Sequence, residues 1–248
     1  LKSGVPNAIR VFDELRAAGH EPKGIRLDSG DLAYLSKRAR RMLDEAGYPD
    51  AIICASGDLD EYLITSLKNQ GAKIDLWGVG TKLITSADMP ALGGVYKLSA
   101  LYPKEGGEVP KIKLSDNSDK ITNPAFKDVY RIYDNATGKA EADLIVVRGE
   151  KIDTGKPLTV FHPKDTWKRT TFTDYSVRQL TVPVIKGGKL VYELPPLSAV
   201  CEYAEREKET FWDEYKRLDN PHVYKVDLSQ KLYDIKNKLI SEIRAENA

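Results

Sequence analysis

At 248 residues the chain can bury a sizeable core, as one large domain or two small ones. Lys and Arg number 38 against 37 Asp and Glu, so the net charge of +1 leaves no electrostatic footprint for nucleic acid or an acidic membrane. No apolar run approaches the roughly 20 residues that span a bilayer, and two cysteines are too few for a disulfide or zinc scaffold, so a reducing cytosol is the plain reading.

The chain enters a helix at once, with Ser3 as its cap and Pro6 in the first turn. Ala8, Ile9, Val11, Phe12 and Leu15 follow at helical spacing until Gly19. A helix that opens a βα series without its preceding strand predicts a start in mid-domain, as in a fragment or a processed half. A rhythm then repeats. The pattern predicts a strand over 24–27, a helix over 32–45, a strand over 51–55, a helix over 59–70 and a strand over 74–77. Such spacing suits βαβ units and a parallel sheet, open or closed into a barrel. After Tyr96 the style changes. Short β-like runs at 129–133, 144–147, 158–161, 180–185 and 190–192 are broken by polar turns, which reads as an antiparallel, β-rich segment. Pro195 and Pro196 punctuate it, and helices over 198–218 and 228–245 close the chain. The organisation predicted is therefore 1–96, 97–196 and 197–248.

In parallel α/β folds ligands gather at the carboxyl ends of the strands. Three consecutive turns there share one accent, small residues beside carboxylates or hydroxyls: Arg26 to Asp31, Ser56-Gly57-Asp58 and Gly78-Val79-Gly80-Thr81. Glycines let backbone N–H groups approach an anion, so Gly78, Gly80 and Thr81 suit a phosphate. Carboxylates at the other two turns suit ribose hydroxyls or a magnesium ion, and Arg26 offers a planar fork to a carboxylate ligand. The plainer reading stands beside this one: Ser29, Ser56 and Asp58 are good helix caps, and Asp58 with Glu61 fits a capping box. Elsewhere Cys54 reads as a core residue and His20, His162 and His222 as surface residues. Gly93-Gly94 is a phosphate loop or a bend, 164–169 a solvated turn, and 202–216 a solvated helix face.

The turn sequences carry more than their chemistry. Residues 24–32, Gly-Ile-Arg-Leu-Asp-Ser-Gly-Asp-Leu, then Gly78-Val79-Gly80-Thr81, then 92–98, Leu-Gly-Gly-Val-Tyr-Lys-Leu, closely resemble the nicotinate phosphoribosyltransferase family in that order and spacing. The opening residues 1–8 resemble the family segment just beyond the middle of the full chain. The resemblance implies a type II phosphoribosyltransferase, with an irregular, TIM-like α/β barrel packed on a β-rich domain. It implies formation of nicotinate mononucleotide and pyrophosphate from nicotinate and phosphoribosyl pyrophosphate, coupled to ATP hydrolysis through a transient phosphohistidine, with Mg2+ required. Arg26 would hold the nicotinate or its ribosyl partner, Asp28 would face the ribose hydroxyls, and Gly80 and Thr81 would take the phosphate. Ser56, Gly57 and Asp58 fall where relatives contact the sugar phosphate. The Gly-Thr-x-Ala-His-Ser motif of the phosphohistidine is absent from this chain. The implied setting is a cytoplasmic homodimer completed by an N-terminal half, and the isolated chain is expected to be inactive. Sister enzymes using nicotinamide or quinolinate, and a non-catalytic sugar-phosphate binding module, are the alternatives.

Overall fold

Val5, Ile9 and Phe12 form the apolar stripe of the first helix, α1 (Gly4–Ala17), and pack into a core with Ala39, Leu43 and Ile53. The computed structural model describes residues 1–117, 120–165 and 167–246, and the chain divides into two units, Leu1–Gly94 and Val95–Ala248. Ser3 precedes α1 but makes no capping bond with its side chain, contrary to the sequence reading. The other end matches it: Gly19 and His20 donate their N–H groups to the carbonyls of Arg16 and Leu15.

In the first unit β1 (Gly24–Leu27), β2 (Ile52–Ser56) and β3 (Leu76–Gly78) pair in parallel and in that order. They are joined by α2 (Leu32–Glu45) and α3 (Glu61–Asn69), and a single turn, α4 (Thr81–Ile84), follows β3. Ile53 and Ala55 of β2 are fully buried against the helices. Ile53 packs with α1 and α2, and Ala55 with Leu32 and Ala33 of α2 and Leu67 of α3. All three long helices therefore cover one face of the sheet, the consequence of crossovers of one hand running in one direction. Side chains alternate along a strand, so Arg26, Cys54 and Ser56 fall on the other face. Cys54 is accordingly half-buried rather than a core residue. The parallel α/β expectation holds. Among the described residues the strands form an open row of three, not a closed barrel.

The second unit begins with a small ladder of β4 (Ala100–Leu101) and β5 (Val109–Pro110). Its main sheet is built from β6 (Lys127–Asp134), β7 (Ala140–Val147), β8 (Leu158–Phe161), β9 (Arg169–Phe172) and β10 (Tyr175–Gln179). Next come a hairpin of β11 (Ile185–Lys186) and β12 (Lys189–Leu190), then α5 (Leu197–Thr210), β13 (Val226–Leu228) and α6 (Gln230–Glu246). The sheet order is β10-β6-β7-β13-β8-β9, antiparallel throughout except where β13 lies parallel to β7. Ile132, Ala142, Leu144, Val146 and Val160 make its core. Leu232 of α6 packs on Ala125, Val147 and Leu228, so the last helix belongs to the same unit as the sheet.

The strand expected over 180–185 ends at Gln179 as β10, and β9 and β13 were not anticipated. The helix over 198–218 stops at Thr210, where Phe211 turns in to stack on Arg131. No residue of α5 is fully buried, but its Glu207 is not on a solvated face, with a side chain only 13% exposed. It meets Arg178 and Arg131, and Arg131 holds Asp143 through two bonds of 2.8 and 3.0 Å. His20 and His222 are exposed, whereas His162 is half-buried and accepts the Asp165 N–H on Nδ1 at 2.9 Å. In the stretch 164–169 Trp167 is exposed and Lys168 pairs with Asp165, while Thr166 lies outside the described residues.

Lys236 of α6 is buried, with Nζ donating to Asn123 Oδ1 at 2.8 Å and to the Pro163 carbonyl at 2.7 Å. Burial disfavours its charged form and lowers its pKa from 10.5 to about 8. The unfolded chain then binds more protons between these two values, so this group's contribution to stability rises with pH across that window. Urea unfolding of the wild type and Lys236→Met at both ends of the window should show the difference moving toward the wild type at high pH, by up to about 3 kcal/mol. A difference independent of pH would mean that Lys236 titrates normally.

Candidate functional site

The parallel register sets Leu27 beside Ala55 and Ser56 beside Gly78, so the first two strands end level with one another. That brings three predicted residues together. Arg26 donates from Nε to Ser56 Oγ at 2.7 Å and from Nη2 to Asp28 Oδ1 at 2.6 Å, and Ser56 Oγ donates to the same Asp28 oxygen at 2.6 Å. The Ser56 hydrogen bond, followed by the hydrogen bond and charge of Arg26, holds the Asp28 carboxyl below its ordinary pKa. Both ends of the pair remain open, with side chains 62% and 61% exposed. The pair is therefore worth little as a stabilising salt bridge, but it is available to a polar ligand.

Asp28, Gly30, Ser56, Gly57 and Asp58 line a cleft of about 510 Å³ between the first and second turns. Gly57 has φ +102°, and a Cβ there would collide with the Asp28 carbonyl oxygen, so only glycine lets the two turns approach this closely. The caps lie later than the sequence predicts, by two residues from Ser29 and Asp58 and by four from Ser56. Asp31, not Ser29, caps α2 by accepting the Tyr34 N–H at 2.9 Å, and Asp60, not Ser56 or Asp58, caps α3 by accepting the Leu63 N–H at 2.8 Å. The shift leaves Ser29, Ser56 and Asp58 at the cleft instead of committing them to helix ends.

The third turn meets the others indirectly. Gly78 is Ser56's partner in the ladder, while Gly80 is the residue before α4 and Thr81 its first residue; none of the three lines the cleft. A tie that sequence reasoning missed runs from Lys82 Nζ to Asp60 Oδ2 at 3.2 Å. The α3 cap bond to Leu63, then the Lys82 hydrogen bond, lower the Asp60 pKa; the Asp60 hydrogen bond and charge raise that of Lys82. The only sequence signal was an aspartate three residues before an apolar helix position. Gly93 and Gly94 are exposed in irregular chain. Among the described residues no group of three or more His, Cys, Asp or Glu side chains could hold a metal ion.

Residues 126–236 match the nicotinate phosphoribosyltransferase C-terminal domain model. The nicotinate phosphoribosyltransferase of Bacillus subtilis (strain 168) is 46% identical over 247 residues, 99% of this chain and 50% of that protein. The Dictyostelium discoideum enzyme is 36% identical over 96% of this chain and 42% of its own length. The chain thus spans about half the length of the curated relatives it matches. The crystal structure of human nicotinic acid phosphoribosyltransferase is similar in fold, with TM-score 0.69 and 24% identity, over 90% of this chain and 41% of that one.

Gly57→Ala should destabilise the first unit by about 1–3 kcal/mol, because a methyl group must push the two turns apart from a left-handed backbone. Denaturant unfolding measures it; an unchanged midpoint would show that the approach of the turns is not tight.

Proposed function

We propose that the chain, which is similar over nearly its whole length to one half of nicotinate phosphoribosyltransferases, supplies the phosphoribosyl side of an enzyme that joins nicotinate to phosphoribosyl pyrophosphate. The observation that carries this reading is the Arg26–Ser56–Asp28 cluster, whose Asp28 and Ser56 line the cleft between the first two turns. In the reaction the nicotinate ring nitrogen bonds to the anomeric carbon of the ribose while that carbon's bond to pyrophosphate breaks, and the bonding pair leaves with pyrophosphate. Positive charge develops on the ribose ring as this happens, so the enzyme's work is to position groups and balance charge.

Each residue has a task in that scheme. Asp28, ionised and held by Ser56 and Arg26, orients the ribose hydroxyls and faces the developing cation. The Arg26 fork holds the nicotinate carboxylate or its ribosyl partner. Ser56, Gly57 and Asp58 border the sugar phosphate, and Gly78, Gly80 and Thr81 provide the turn that receives the phosphate. The carboxylates of the first two turns, Asp28 and Asp58, would suit ribose hydroxyls or a Mg2+ ion, which would help neutralise the charge of the leaving pyrophosphate. ATP hydrolysis acts through a histidine carried by an N-terminal half, which also continues the row of three strands into the irregular α/β barrel. The assembled enzyme works as a cytoplasmic homodimer.

The test is product formation by the full-length enzyme with nicotinate or nicotinamide. Nicotinate alone should give mononucleotide. Asp28→Ala should lower kcat by about a hundredfold or more while leaving the thermal midpoint nearly unchanged. Parallel losses of activity and stability would mean that Asp28 is structural, and turnover with the amide would remove the acid-specific role of Arg26.

A further inference from the structure

The third turn has little to hold it. α4 is four residues long and buries none of them; Leu83 and Ile84 stand largely in solvent. A single helical turn is not stable by itself, because its few backbone bonds do not offset the ordering of the chain. Behind it the chain from 85 to 99 is irregular. Three attachments remain: the ladder pairing of Gly78 with Ser56, the packing of a partly buried Val79 on the core around Ala55 and Leu67, and the hydrogen bond of Lys82 Nζ to Asp60 Oδ2, the one polar side-chain tie of the three.

Asp60 is a suitable anchor. Its Oδ1 is fixed by capping α3, so Oδ2 points from a rigid helix end, and the side chain is only 22% exposed. The pair borders a small cavity of about 170 Å³ whose lining includes Glu61 and Asp88 and only one cation, Lys82. Lys82 therefore does two things. It pins the third turn to the second, and it offsets carboxylates beside a turn assigned to a phosphate.

We propose that Lys82, acting through Asp60, is a positioning residue that holds the Gly78–Thr81 turn in register with the Ser56–Asp58 turn for phosphoribosyl pyrophosphate binding. The proposal rests on the phosphoribosyltransferase reading above for its substrate, and on the Lys82–Asp60 geometry for its residue.

The experiment uses the full-length enzyme with Lys82→Met, Lys82→Arg, Asp60→Asn and the Asp60→Asn/Lys82→Met double variant. Asparagine keeps an oxygen for the Leu63 cap while removing the charge that holds Lys82, so α3 stays formed. Lys82→Met and Asp60→Asn should each raise KM for phosphoribosyl pyrophosphate by roughly tenfold, with kcat and KM for nicotinate changed by less than about twofold. The double variant should be no worse than either single one, because both break the same tie. Lys82→Arg should restore most of the affinity. Amide hydrogen exchange across 79–84 should quicken in Lys82→Met, a readout that needs no turnover. The proposal is overturned by unchanged KM and exchange, by additive losses in the double variant, or by equal losses in both KM values and kcat. If the wild-type enzyme makes no mononucleotide, the functional reading fails by itself, and unaltered exchange in Lys82→Met would then sink the clamp separately.

Discussion

Everything at the candidate site depends on two parallel strands ending level. Because Leu27 pairs with Ala55, the residues that follow emerge together, and Arg26, Asp28 and Ser56 close a triangle with sides of 2.6 to 2.7 Å. A slip of one residue in that register would turn Arg26 or Ser56 to the helix face and dissolve the cluster. The register is secured from the other side, where Ile53 and Ala55 are fully buried under α1, α2 and α3. The apolar face thus determines the geometry of the polar one. Gly57 completes the arrangement by letting the second turn lie against the carbonyl of the first.

The second unit solves a different problem. Its sheet has a conventional aliphatic core, but α5 contributes nothing fully buried to it. That helix is held instead by charge: Glu207 reaches Arg178 and Arg131, Arg131 binds Asp143, and Phe211 and Tyr224 flank the Arg131 guanidinium. Such a network is specific rather than strongly stabilising, since the cost of desolvating the ions offsets much of their attraction. It explains why α5 gives way to an irregular segment at Phe211: the aromatic ring is needed against Arg131.

Local pattern suffices for some elements and not for others. Residues 24–27, 32–45 and 158–161 were placed with their true bounds, because each has a clear periodicity and clear end signals. β13 was not visible, since Val226-Asp227-Leu228 is three residues long, has a buried aspartate at its centre and runs into a helix. The helix caps lie two to four residues beyond the expected ones for a related reason. Ser29, Ser56 and Asp58 have the right chemistry for capping, but which oxygen meets an N–H depends on how far the turn runs before the helix begins.

The sequence by itself determined the alternation of strands and helices in the first unit, the β-rich character of the second, and the turn motifs that resemble a known family. These rest on spacing within a few residues, where side-chain periodicity and turn chemistry act. The tertiary structure alone decided which polar residues meet. Arg26 and Ser56 lie 30 positions apart, Asp28 and Ser56 28, and Lys82 and Asp60 22. Contacts across such distances follow from strand register and from the face that the helices cover, and both are set by burial of the core, which no local stretch of sequence contains.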